Sequence, residues 1–229
     1  SATRPPIINS VEASARQQHA PGKGPRMQGF ENLMPYRVRE VLLVSSLYDS
    51  FTFQEDGQAS DPLLSDYAEL NLRYAPRVKR VSTGAEALEE LNEHGRYDLI
   101  LVTPQLGAVS AVEFAEEVRS EFGAIPMVLL GYDAASIDAL LACTDCNPFD
   151  HTCVWNGDSR LMLATIKLIE DQANFAHDSA RVGVQAVLLV EDSVNFLWIY
   201  LPILFTEMMA QSQHVITEGA NLAHKLLRL

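Results

Sequence analysis

Lysine is scarce: four of the 229 residues are Lys, against 30 acidic side chains, and the formal charge is −13. The first 39 residues hold six basic and two acidic groups, so the acidity belongs to residues 40–229. A body that acidic repels phosphate backbones, which argues against nucleic-acid binding. Cysteine is also sparse, at three residues, and an odd number in a chain this size points to a reducing, cytoplasmic setting rather than a disulfide framework. Long apolar runs are missing. The longest, Phe196 to Phe205, is broken by Pro202 and falls short of the roughly 18 residues of a membrane span. No apolar leader segment opens the chain. What remains is an ordinary globular composition, 48% hydrophobic and 21% charged, with enough length for a real core.

Residues 1–37 mix Pro, Gly, Gln and Arg without periodicity and read as an arm, with a short helix at Val11 to Gln18. From residue 38 the pattern changes. Val41-Leu42-Leu43-Val44 is a β-branched and aliphatic run of the kind a strand buried on both faces carries. Asp61-Pro62 opens a helix bearing Leu63, Leu64, Tyr67, Leu70 and Leu72. Strands are expected at 78–81, 99–102, 125–130 and 152–155. The helices between them cover 85–91, 109–122 and 134–141, and a long one begins after Asp158. Five strand–helix alternations in about 135 residues predict one doubly wound α/β domain with a five-stranded parallel sheet, over residues 38–177. A linker is expected at 178–184. Val187-Leu188-Leu189-Val190 then repeats the first strand, so residues 185–229 read as the start of a second such domain, a strand plus long helices.

Val-Leu-Leu-Val-Glu-Asp-Ser at 187–193 resembles the first strand of a response-regulator receiver domain, and residues 40–176 resemble a whole receiver in order and spacing. The resemblance implies a flavodoxin-like fold. It also implies an acidic pair after the first strand to hold Mg²⁺, a phosphoacceptor aspartate ending the third, Ser or Thr ending the fourth and Lys ending the fifth. Glu191 and Asp192 fit the acidic pair of the second unit, as a partial Mg²⁺ site. In the first unit every such place departs. Ser45 and Ser46 stand for the acidic pair, Thr103 for the aspartate, Gly131 for Ser or Thr, and Trp155 for Lys. No acidic residue lies between Leu99 and Val112. Without a carboxylate nucleophile there is no acyl phosphate, and without the acidic pair no strong Mg²⁺ site. The first unit therefore reads as a pseudo-receiver, with no cofactor in this chain and no enzymatic activity of its own.

Leu47-Tyr48-Asp49-Ser50-Phe51, Ser82-Thr83-Gly84 and Trp155-Asn156-Gly157-Asp158, together with a second receiver start, are similar to one group. These are the tandem-receiver N-terminal regions of bacterial phosphoenolpyruvate synthase or pyruvate phosphate dikinase-like proteins. That resemblance implies a regulatory front end whose partners are C-terminal ATP-binding enzyme domains and, for a complete second receiver, a histidine kinase.

Two other functions fit the same fold. A phosphorylatable response regulator needs a carboxylate where Thr103 stands, and a flavodoxin-like nucleotide or flavin binder would use Ser45, Thr103 and Gly131 at the strand ends. Cys143, Cys146, His151 and Cys153 include a Cys-x-x-Cys spacing suited to zinc, but no second pair completes it, and Cys153 is expected to pack in the core. Residues 195–209 form a helix apolar nearly all round. Phe196, Trp198, Ile199, Leu201, Leu204 and Phe205 are the candidate interface of a homodimer; the alternative buries Trp198 and its neighbours against the first domain.

Overall fold

The computed structural model describes residues 33–46, 75–142, 147–156, 158 and 160–226, without the side chains of 213 and 215–226. The expected helices at 11–18 and 63–72 lie outside these residues. The central strand β1, Glu40–Val44, pairs in parallel with β2, Arg77–Val81, on one side and β3, Leu99–Val102, on the other. Two more parallel strands, β6 (Met127–Gly131) and β7 (His151–Val154), extend the sheet past β3. The order is β2-β1-β3-β6-β7.

Between β3 and β6 lies a small antiparallel hairpin, β4 (Gln105–Leu106) and β5 (Val109–Ser110), turning at Gly107 with φ 86°. It shortens the helix expected from 109. Ser110 is the N-cap instead, and its hydroxyl and the Glu113 carboxylate satisfy each other's backbone amides in a capping box, so helix α2 covers Ala111–Glu121. Helix α1, Gly84–His94, is capped by Thr83 and stopped by Gly95 in the left-handed region. Helix α3, Ala134–Leu141, is capped by Asp133.

Alternation along the strands builds two cores. Leu42, Val44, Ile100, Val102 and Leu129 face α1, α2 and α3, where Leu91, Phe114, Val118 and Ile137 close the layer. Val41, Leu43, Leu101, Leu130 and Cys153 face the opposite side. There they meet Leu161, Ile166 and Ile169 of helix α4, Arg160–Val182, and Trp198 and Leu201 of helix α5, Val194–Leu226. Continuous apolar strands are what a sheet covered on both faces demands.

Two boundaries shift from the sequence reading. Helix α4 continues to Val182 and ends at Gly183, φ 69°, so most of the expected linker at 178–184 is helical. Val187–Val190, read as the strand of a second domain, forms no strand, because no neighbouring strand offers its backbone a ladder among the described residues.

Candidate functional site

In an open parallel sheet the carboxyl ends of the strands form the crevice where ligands bind. Here the residues at those ends are Ser45, Thr103, Gly131 and Trp155. Ser45, following β1, is fully buried, and its N–H donates to the Val81 carbonyl at 3.1 Å. Ser46, next along, is half-buried. Thr103, following β3, is also fully buried; its N–H donates to the Val44 carbonyl at 3.0 Å and its hydroxyl turns back to the same oxygen at 3.5 Å. The hydroxyl thus faces the sheet's own backbone at the outer limit of hydrogen-bond distance.

Gly131, the last residue of β6, is glycine for a steric reason. A Cβ built there would lie 2.5 Å from Cγ1 and 2.7 Å from Cδ1 of Ile137, itself buried at the start of α3. Any larger residue, Ser and Thr included, forces that isoleucine to move. Trp155 follows β7, its N–H donating to the Gly131 carbonyl at 2.7 Å. Its ring packs against the α4-side core and lines an apolar crevice with Leu43, Leu101, Leu130, Leu161, Met162 and Thr165. Trp155 is thereby part of the apolar layer under α4.

Two carboxylates near these ends are committed to structure. Asp133 accepts from the Ser136 hydroxyl and amide, which holds its carboxyl below the ordinary range. Burial raises Asp158, but the guanidinium and amide of Arg160, at 2.7–3.0 Å, outweigh it and leave its carboxyl lowered. Glu191 and Asp192 stand just before α5. Glu191 Oε1 accepts from the Ser193 amide at 3.1 Å, and Asp192 is exposed. Among the described residues no group of three or more His, Cys, Asp or Glu side chains is placed to hold a metal.

Cys143 and Cys146 lie outside the described residues. His151 Nε2 faces Gln172 Oε1 at 3.0 Å, and Cys153 is buried in the core. Burial pushes its thiol well above the ordinary value, with Thr165 only partly opposing, so the sulfur stays a protonated, inert packing group.

The six residues expected at an interface divide. Trp198 and Leu201 are buried against the chain's own α4 and β7, with Phe205 packed at the margin and Leu204 half-buried. Trp198 and Leu201 are therefore closed to a partner in this arrangement, because the apolar α4-side core needs their cover. Phe196 and Ile199 point outward.

A polar ladder escaped the sequence reading. Glu170, Asn174 and Asp178 are buried at one-turn intervals along α4. They accept the N–H groups of Val38, Tyr36 and Met34 at 3.0, 2.9 and 3.2 Å, and Asn174 returns a bond to the Tyr36 carbonyl at 2.8 Å. Residues 34–38 are thus fastened along α4 through every second amide. The Tyr36 hydroxyl donates to the Asp98 carbonyl at 2.8 Å; burial, then Asp98 and Glu170, push its phenol up to about 12. The available signal was three amide-type or acidic residues at i, i+4 and i+8 on an otherwise apolar helix face.

Leaving aside the small hairpin, a parallel sheet in the order 2-1-3-4-5 with helices on both faces defines the flavodoxin-like class to which receiver domains belong. No family model matches the sequence, and no curated protein does. Among the solved structures similar to the chain are receiver domains. One is the receiver domain of a Francisella response regulator, 11% identical, covering 59% of this chain and 98% of that one, with a TM-score of 0.41. Another is the receiver domain of a sensor histidine kinase from Pseudomonas aeruginosa, solved with magnesium in its active-site cleft, at 21% identity, 59% and 96% coverage and a TM-score of 0.41. A third is a two-component response regulator from Clostridium difficile, at 17% identity, 59% and 98% coverage and 0.43. No helix among the described residues is long and apolar enough to cross a membrane.

Proposed function

We propose that this chain is a non-catalytic regulatory module of receiver type that works through protein contacts and accepts no phosphoryl group. The observation that carries the reading is Thr103. It is buried at the end of β3, its hydroxyl turned to the Val44 carbonyl, where phosphoryl transfer to a receiver requires an accessible carboxylate. Ser45 and Ser46 offer no pair of anionic oxygens for Mg²⁺, and Ile137 fills the space that a Ser or Thr at 131 would need.

Within the same proposal, the module controls enzyme domains of a longer polypeptide of the phosphoenolpyruvate synthase or pyruvate phosphate dikinase kind. Its support is the motif likeness at 47–51, 82–84 and 155–158.

The test is the intact mass of the chain after incubation with Mg²⁺ and acetyl phosphate. The expected result is an unchanged mass. A stable adduct of one phosphoryl group, lost on treatment with hydroxylamine, would identify an acyl phosphate and overturn the reading.

A further inference from the structure

The first part of helix α5, residues 194–206, is apolar on two sides. Its inner side supplies Trp198 and Leu201 to the core, while Phe196, Ile199, Tyr200 and Ile203 recur at helical spacing on the outer side and are exposed. The rings of Phe196 and Tyr200 stack with centroids 6.2 Å apart, forming a ridge along that side. Just before the helix, Val187–Val190 is open to solvent as well, from 36% exposure at Leu189 to 85% at Leu188. A helix hydrophobic all round is one that belongs in an interior.

We propose that this outer face is closed by a second copy of the chain, two α5 helices packing across a two-fold axis with Val187–Val190 at the margins. The first support is charge. Copies of a protein with net charge −13 repel, and the contact must be made where that repulsion is least. Residues 194–206 of the stripe contain no charged side chain, and Glu191 and Asp192 alone separate them from the equally uncharged 182–190. The second support is area. The exposed parts of the four stripe residues and of Val187–Val190 amount to on the order of 900 Å² per copy, at roughly 200 Å² for each large side chain, against about 800 Å² per partner in a standard interface. The third is self-complementarity. In an antiparallel pair related by a two-fold, Phe196 of one copy meets the Ile203 end of the other, and the same short stripe serves both. The inference concerns the oligomer and stands apart from the phosphoryl question.

The experiment is sedimentation velocity on the whole chain over a hundredfold dilution. The expected result is a dimer of twice the 25.3 kDa chain mass that dissociates on dilution. Ile203→Asp should leave only monomer, and the milder Ile199→Gln should raise the dissociation constant by about tenfold or more. Both variants should keep the buried-indole fluorescence contributed by Trp198, which reports that α5 stays docked on its own domain. A wild-type chain that is monomeric throughout, or a dimer that both variants leave intact, would overturn the proposal. Loss of the dimer together with undocking of α5 in both variants would overturn it too, because the stripe would then act within one chain.

Discussion

The indole Nε1 of Trp198 donates a 2.5 Å hydrogen bond to the carbonyl oxygen of Thr152, joining helix α5 to edge strand β7 across 46 residues of chain. Trp198 is the largest fully buried side chain among the described residues. Its replacement by Ala should cost about 3–5 kcal/mol, the range for emptying an aromatic site in a packed core. Trp198→Phe, which keeps most of the packing and loses the donor, should cost about 1 kcal/mol. Urea unfolding of the two variants separates these contributions. Equal losses would mean that the ring is held by its hydrogen bond more than by its fit.

Gly131 is expected to reject side chains. Gly131→Ser should destabilise the fold by about 1–3 kcal/mol through displacement of Ile137, the usual scale for overpacking a core. Adding Ile137→Ala should recover part of that loss, a coupling visible in a double-mutant cycle. Strictly additive losses would show that Ile137 is not the obstacle.

The polar ladder on α4 makes a local prediction. Asn174→Ala leaves the buried Tyr36 amide and carbonyl without their partner and should cost about 2–4 kcal/mol. Hydrogen exchange at residues 34–38 should accelerate more than exchange in β1 or β3. Uniform acceleration throughout the sheet would mean that the segment is integral to the fold and not fastened onto it.

Two helix caps set an acid limit. Glu113 is lowered by bonds from the Ser110 amide and hydroxyl, and Asp133 by bonds from the Ser136 hydroxyl and amide. A carboxyl whose folded pKa is depressed contributes stability that is fully present above its unfolded value and is lost as the pH falls through the folded one. Stability should therefore hold above about pH 5 and decline below it, and Asp133→Asn should flatten the decline. Denaturant midpoints measured from pH 7 to pH 3 would check this; an unchanged slope in the variant would remove Asp133 from the account.

β1, β3 and β6 were legible because each is a run such as Leu99 to Val102, whose aliphatic side chains can be satisfied only in a sheet covered twice, whereas β2, Arg77–Val81, and β7, His151–Val154, lie at the sheet edges and carry polar residues. The helix expected at 85–91 was legible for an equally local reason, with Thr83 before it and Gly95 after it, while the Asp133 cap of α3 came from the structure. The hairpin at Gln105 to Ser110 was harder to see, since two-residue strands carry no period. The identity of the strand-end residues was also a matter of sequence: Ser45, Thr103 and Trp155 are what they are wherever they point.

Tertiary structure decided the rest. That Thr103 turns its hydroxyl to Val44, that Gly131 lies under Ile137, and that Glu170, Asn174 and Asp178 hold a segment more than 130 residues earlier are facts of proximity. The same holds for helix α5. The composition of residues 194–206 declares that part apolar on every side, but composition assigns no direction. Only packing against β7 and α4 settled that Trp198 and Leu201 turn inward and Phe196 and Ile203 outward, because burial depends on which surfaces meet, and the order of residues along a helix does not specify its neighbour.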